Sequence, residues 1–485
     1  MKRVLVALVL IWCGPSVHSQ THRIADNAEV ASSLALMQQW IQAQMTYRGM
    51  PGMSVALVYD QDLVYAQGFG YADLGKKTPA TSATIYRIAS ITKTFTATAI
   101  MELRDRGKLR LNDPVEQILP WFQPENTFPD APTIEVWHLL THTSGLPREA
   151  AFPYWTDNKF PTRTEMIRAL EHQQTVFPPE TRFKYSNLAF AVAGEIVAET
   201  AGMPYSEFVT KNILEPLSMK STSVYFQDVQ SPRLAVGYSR KLDDGSRKVM
   251  PFTNAKALVA SANMSSTVED LAKFVSLQFR TRQIVYGDQI LKASTVREMQ
   301  RVHWLNPDWK SGWGLGFGTW RQDDETVVGH SGWVAGYRSQ ISFIPDKKIG
   351  VIVLTNSDDG DPAFFTEEIF KMMIAPIERA TAGSVEVSIP DPSWSHLVGS
   401  YQDAWWYDTE VIIMNGRLMM YNHSYPPEEN PKGNLVELTP VGPGTFKMTG
   451  ENGNGELVEF EFANDGSVKR VKVGENFIYP KHKNP

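Results

Sequence analysis

Thiol chemistry is almost absent from this sequence: the single cysteine among 485 residues is Cys13. It falls inside an N-terminal stretch that reads as a leader. The chain beyond that stretch therefore has no disulfide, no zinc–thiolate site and no cysteine nucleophile. Long hydrophobic runs are lacking too. The apolar run 4–12 is too short to span a bilayer, no later segment approaches the required length, and no membrane span is expected. Nor is there an excess of basic charge. A net charge of -6 with 21% charged residues lacks the electrostatic footprint of a nucleic-acid binder. The histidines show no His-Glu-x-x-His spacing, so a zinc hydrolase has no support, and neither metal nor cofactor is expected. Long-period repeats and low-complexity tracts are absent as well.

What is present suggests two or three domains of a soluble globular protein. Met1-Lys2-Arg3, the apolar run and the small-residue site at Val17-His18-Ser19 have the form of a secretory signal over residues 1–19. That implies a periplasmic or secreted protein. Lipid attachment through Cys13 is disfavoured, because Trp12 is bulky where such signals need a small residue. Residues 33–47 carry apolar positions at helical spacing, and Pro51-Gly52 breaks the run before strands at 53–59 and 63–71, which read as an antiparallel hairpin at one edge of a sheet. The pattern is mostly helical over 111–219. Ser266-Thr267-Val268-Glu269 reads as a capping box before a helix over 271–279. Strand character returns at 312–320, 326–329, 339–344 and 350–354, and 364–378 reads as a closing helix. A polar, proline-containing linker follows at 382–392. Beyond it, Asn415-Gly416 and Asp465-Gly466 each separate two short alternating segments, and seven or eight strands fit between His396 and Tyr479. The expected fold is thus an α/β (α+β) domain over 20–381, an antiparallel sheet flanked by helices with a helical insertion, followed by a small antiparallel β-barrel or sandwich over 393–485.

Chemistry centres on Tyr86-Arg87-Ile88-Ala89-Ser90-Ile91-Thr92-Lys93. At three-residue spacing on a helix, Ser90 and Lys93 share a face. A serine hydroxyl needs a base to take its proton before it attacks a carbonyl, and a partly buried Lys93 with a lowered pKa would serve. Phe183-Lys184-Tyr185-Ser186-Asn187 forms a loop entering a helix. A phenol of lowered pKa at Tyr185 would relay a proton to the leaving group, while the Asn187 amide would either hold substrate or fix Lys93. In Gly329-His330-Ser331-Gly332-Trp333, strand alternation aims His330 and Gly332 to one face. Gly332 would let substrate approach the backbone, and the Trp333 N–H would pair with that of Ser90 as an oxyanion hole. Each motif alone has an ordinary structural explanation: a core tyrosine, a strand histidine, a chance Ser-x-x-Lys.

Together the three resemble the serine β-lactamase and penicillin-binding protein superfamily, and within it the class C β-lactamase-like hydrolases. The surroundings extend the resemblance over residues 34–377: Pro51-Gly52-Met53-Ser54-Val55-Ala56, Leu139-Leu140-Thr141-His142-Thr143-Ser144-Gly145-Leu146-Pro147, and Ser265-Ser266-Thr267 before Asp270. The resemblance implies Ser90 as acylated nucleophile, Lys93 as its base, Tyr185 as proton relay, Asn187 as a substrate-side amide, and His330 at the position usually held by lysine. The tail from Ser393 is similar to the lipocalin-like barrel of several peptidases of that superfamily.

Three positions depart from the pattern that the resemblance implies. Histidine is only partly cationic near neutrality, so His330 should grip a substrate carboxylate less firmly than lysine, with a preference that grows toward about pH 6. Trp333 replaces a small residue at the cleft lip. Glu180 replaces a frequent glycine and puts the turn before Tyr185 in question. Gly329 to Trp333 nearly reads as a Gly-x-Ser-x-Gly nucleophile elbow, but Trp333 fills the last glycine position. By the family analogy His142 is structural.

The expected activity is serine hydrolysis of a small-molecule ester, amide or peptide through an acyl-enzyme, with esterase and D-amino-acid-type peptidase chemistry needing the same residues. A β-lactamase or an acylated penicillin-recognising sensor, and a non-catalytic scaffold, are the alternatives. A lipid-carrying barrel is weaker, since about ninety residues enclose little space. An oligomer is possible but not indicated.

Overall fold

The computed structural model describes residues 24–226, 231–281, 289–382, 390–450, 453 and 455–481. The expected signal segment, with Cys13, lies outside them, as do residues 383–389 of the expected linker. Helix α1 (Ala28–Arg48) begins at Asn27, whose side chain caps Glu29 and Val30, and stops at Gly49. Strands β1 (Gly52–Tyr59) and β2 (Asp62–Asp73) form the expected hairpin, and β2 continues onto the short edge strand β3 (Thr78–Pro79). The far side of the sheet comes from β4 (Trp304–Leu305), β5 (Ser311–Trp313), β6 (Gly318–Gln322), β7 (Glu325–Val334), β8 (Tyr337–Ile344) and β9 (Ile349–Thr355). Their spatial order is β3-β2-β1-β9-β8-β7-β6-β5-β4, antiparallel throughout. The run expected as one strand over 312–320 is therefore two, β5 and β6.

Both faces of this sheet are covered. On one side α1 packs against the C-terminal helix Pro362–Ala382 around Trp40, Met37, Phe365 and Ile369. The other side carries the larger core, in which α2 (Thr92–Asp105) is the central rod. From Thr92 to Leu103 every residue of α2 is buried. Its threonines are all engaged: Thr94 and Thr98 donate their hydroxyls back to carbonyls three and four residues earlier, Thr96 donates to the Ala260 carbonyl at 2.6 Å, and Thr92 accepts from the Met264 N–H. A helix that is buried all round places whatever stands at its first turn inside the molecule.

The region 111–219 is less helical than its pattern suggests. Apart from α3 (Asn187–Ala201) it contains only short helices, with irregular chain between them. The expected capping box shifts by one residue: Thr267 caps α4 (Val268–Leu277) by accepting the Asp270 N–H, and Glu269 instead accepts from Ser82.

Beyond residue 390 the chain makes a closed eight-stranded barrel, β10 (Gly399–Gln402), β11 (Asp408–Met414), β12 (Arg417–Asn422), β13 (Leu435–Gly442), β14 (Thr445–Thr449), β15 (Leu457–Phe462), β16 (Val468–Val473) and β17 (Asn476–Pro480). The β11–β12 hairpin turns at Asn415 and Gly416, both left-handed at φ 51° and 73°, the conformation for which an Asn-Gly pair is suited. Its interior is filled by Val411, Leu418, Leu438, Phe446, Val458, Phe460 and Val471. The barrel docks on the outer face of α1. Trp40 and Gln44 donate to the Glu428 carbonyl at 3.0 and 3.1 Å, and Leu36 packs with Ile412 and Tyr421.

Candidate active site

Ser90 sits in a tight turn, Ala89–Ile91, that runs directly into α2. Ala89, just before it, is left-handed at φ 46°, a costly conformation for a residue with a side chain. The turn is held from two sides. The strand pair Tyr86–Arg87 and Ser265–Ser266 anchors its entrance, and Ser339 on β8 donates to the Ile88 carbonyl at 3.0 Å. A Cβ on Gly332 would stand 2.2 Å from that same carbonyl oxygen. Gly332 therefore makes room for the Ser90 turn, a use different from the approach of substrate expected for it, and it is not among the residues that line the cleft.

Lys93 is fully buried, and its Nζ lies 3.1 Å from Ser90 Oγ. Two further acceptors surround it, Asn187 Oδ1 at 2.7 Å and the Ser261 carbonyl at 2.8 Å. Burial pushes the amine well below its ordinary pKa, with Glu149 opposing that shift and Arg148 adding to it. Tyr185 stands across the amine, its ring 5.0 Å from Nζ, with its hydroxyl end beside Ser90. The phenol does not have the lowered pKa expected of it. Burial raises it to about 12 despite the opposing influence of the Ser90 side chain, so Tyr185 is a neutral hydroxyl at any working pH.

The loop 142–148 zips onto the segment 184–188 and fixes it. Ser186 N–H donates to His142 Nδ1 at 3.0 Å, Ser186 Oγ donates to the Pro147 carbonyl, and Asn187 N–H donates to the Arg148 carbonyl. The His142 ring also lies against Tyr185, with centroids 4.3 Å apart. Asn187 opens α3 immediately after its cap, Ser186. Both ends of its amide are engaged, Oδ1 by Lys93 and Nδ2 by Glu149 Oε1 at 2.7 Å. The expected substrate-side amide is thus turned inward.

On β7, His330 faces the same side as Gly332 and is only 5% exposed. Its Nδ1 lies 2.6 Å from the Ser331 carbonyl, which only accepts, so Nδ1 carries the hydrogen and Nε2 is a bare, unpartnered acceptor. Burial and the nearby Lys93 depress its pKa to about 3. Burial therefore argues against the expected cationic His330 with a carboxylate preference growing toward about pH 6, because it holds the imidazole neutral in that range. Pairing of β6 with β7 ends at Gly318 and Gly329, so residues 330–334 pair only with β8. Trp333 lies on that stretch, 61% exposed, with its indole N–H donating to Asp358 at 3.1 Å.

These residues line one cleft of about 950 Å³. Ser90, Tyr185, Asn187 and His330 stand on its walls with Trp155, Trp313, Trp320 and Trp333, while no barrel residue reaches it among those described. Glu149, Arg148 and the Ser261 carbonyl escaped the sequence reading. Arg148-Glu149 directly follows the conspicuous Thr-Ser-Gly-Leu-Pro turn, a signal that was available, whereas a backbone carbonyl leaves none. Glu180 takes the left-handed conformation at φ 63° that a glycine would favour, and its carboxylate accepts from buried His138 at 2.8 Å, so the questioned turn forms.

An antiparallel sheet covered on both faces, with a serine–lysine turn heading a buried helix and a tyrosine loop across from it, defines the serine hydrolase superfamily of β-lactamases and penicillin-binding proteins. The chain belongs to the Beta-lactamase family, whose family model matches residues 37–371. Protein flp of Staphylococcus aureus (strain MW2) is 30% identical over 312 residues, 63% of this chain and 60% of that protein's own length. A Beta-lactamase of Escherichia coli (strain K12) is 25% identical over 65% of this chain and 86% of its own. Among solved structures, the octameric penicillin-binding protein homologue from Pyrococcus abyssi covers 92% of this chain and 99% of its own at 27% identity and TM-score 0.62. EstCE1, a hydrolase with promiscuous acyltransferase activity, shares the fold at 22% identity and TM-score 0.61, over 72% of this chain and 99% of its own.

Proposed function

We propose that this protein hydrolyses small esters or amides through an acyl-enzyme on Ser90. The observation that carries this reading is the hydrogen-bonding of Lys93. A neutral amine has two hydrogens and one lone pair, and two of its neighbours, Asn187 Oδ1 and the Ser261 carbonyl, accept only. The lone pair is left for Ser90 Oγ. As Oγ attacks the carbonyl carbon its proton passes to Lys93 Nζ, and the oxyanion draws on the backbone N–H groups of Ser90 and Trp333. Tyr185, a neutral hydroxyl beside Ser90, hands a proton to the departing alcohol or amine while the ammonium re-supplies it. Water then attacks the acyl group by the same route, and Ser90 recovers its proton.

The walls favour an apolar acyl group, because four tryptophans face the cleft and offer large flat surfaces. The neutral His330 disfavours a substrate carboxylate beside it, so penicillin turnover is expected to be weak. The signal-like pattern over residues 1–19 supports a site of action outside the cytoplasm.

Short-chain esters, D-amino-acid amides and a chromogenic cephalosporin, assayed side by side, test the substrate class. Ser90→Ala is expected to lower turnover roughly a thousandfold or more and to abolish labelling by an active-site-directed phosphonate. Retention of more than a few per cent of wild-type turnover would remove Ser90 from the reaction.

A further inference from the structure

We propose that Glu149 is a positioning residue that acts through Asn187 to hold Lys93 as the base of Ser90. The proposal rests on the acyl-enzyme reading above and adds to it the group that keeps the base in place.

An asparagine amide presents two similar ends, and which one faces Lys93 decides what the amine can do. If Nδ2 faced Nζ, donor would meet donor, and a neutral amine would have to turn its lone pair toward the amide and away from Ser90. Glu149 prevents this. A carboxylate only accepts, so its Oε1 at 2.7 Å draws the NH₂ end and commits Oδ1 to Lys93. Glu149 is itself tied down: Tyr154 donates its hydroxyl to Oε2, Arg148 Nε lies 3.2 Å from Oε1, and Gln173 donates to the Glu149 carbonyl at 2.7 Å. The chain Tyr154, Glu149, Asn187, Lys93, Ser90 is therefore continuous, with every link oriented by the one before it.

Glu149 also contributes charge. The groups that bear on Lys93 are Glu149 and Arg148 from the 142–150 loop, Tyr185 across the amine, and His142 and His330, both neutral. Glu149 supplies the negative charge among them. It favours the ammonium form and so offsets part of the effect of burial. Without it, Arg148 stands unopposed and favours the neutral amine further.

The test is the pH profile of kcat/KM for a neutral short-chain ester in the wild type, Glu149→Gln and Glu149→Asp. In the Gln variant the amine gives up its proton more readily, so the acidic limb is expected to move to lower pH by about one unit. Its plateau is expected to fall about tenfold, chiefly in kcat, since the amide is no longer forced into one orientation. In the Asp variant, which keeps the charge at a shorter reach, the limb is expected to stay and only the plateau to fall. A Gln variant whose limb is unmoved overturns the proposal whatever its plateau, because a merely structural glutamate would lower activity without moving the limb. Phosphonate labelling of the wild type, mapped by mass spectrometry, separates the two levels. Absence of label on Ser90 sinks the acyl-enzyme reading, whereas label on Ser90 with an unmoved limb sinks only the role of Glu149.

Discussion

His330 shows how little a residue's identity says about its charge. The letter suggests a group that titrates near neutrality, yet with 5% exposure and a lysine nearby the ring stays neutral down to about 3. The rate ratio between a carboxylate-bearing ester and its neutral counterpart is therefore expected to be flat from about pH 5 to about pH 8, well above the depressed pKa. Comparing the two substrates in one protein cancels the titration of Lys93. His330→Lys should raise the ratio by about tenfold or more, the worth of one charge-assisted hydrogen bond. A wild-type ratio that climbs as pH falls toward about 6 would mean the ring is far less buried than this. The Ser90–Lys93 and Tyr185–Asn187 pairs were visible in the sequence because each is a local spacing next to a helix start. The partner that orients Asn187 was not, since Glu149 reaches it from a loop thirty-eight positions away in the chain. The actual use of Gly332 was equally hidden, because the absence of a side chain does not say what fills the space.

Elements, too, were legible in proportion to how local their causes are. The β1–β2 hairpin, α2 and the Asn415-Gly416 turn follow from periodicity and turn chemistry and stand close to where the sequence puts them. The stretch 111–219 reads as more helical than it is, because several of its apolar residues are spaced to plug the main core from loops rather than to line a helix face: Leu146, Ala150 and Phe160 are all buried in it. The turn at Glu180 is the sharpest case. A left-handed residue with a side chain costs about 1–2 kcal/mol, and here the carboxylate compensates by taking the hydrogen of buried His138 Nε2. Glu180→Gly removes the strain but orphans that donor, at about 1–3 kcal/mol, and loosens the unfolded chain as well. A net loss of about 1 kcal/mol is expected. Glu180→Ala keeps the strain and loses the bond, so its loss should be larger, about 2 kcal/mol. Urea midpoints of the two variants decide this, and a Gly variant more stable than wild type would show that the His138 bond contributes little.

For the whole molecule, the barrel and the hydrolase part meet on α1, which buries one side against the sheet and the other against Ile412, Tyr421 and the Glu428 carbonyl. The apolar spacing of 33–47 announced a helix but not that both of its sides are occupied. Ending the chain at about residue 382 should therefore leave the cleft chemically competent, since no described barrel residue lines it, while exposing Leu36 and part of Trp40. A truncated protein is expected to keep at least about a tenth of wild-type turnover on a small ester at low temperature and to melt or aggregate several degrees earlier. Loss of turnover in a truncated chain that stays folded would mean that the barrel shapes the cleft from a distance.

The pairing of β1 with β9 has a further consequence, for synthesis on the ribosome. Gly52–Tyr59 emerges early, but its hydrogen-bonding partner on one side is Ile349–Thr355, and the helix just before it must wait longer still for a barrel that closes only when β17 meets β10. Hairpin β1–β2 thus spends most of translation with an open edge, a condition in which unpaired strands invite other chains. Chains stalled before about residue 355 should be cleaved by protease throughout the β1–β2 region, and protection there should arise abruptly once β9 has cleared the exit tunnel. The first strand made is among the last to be secured.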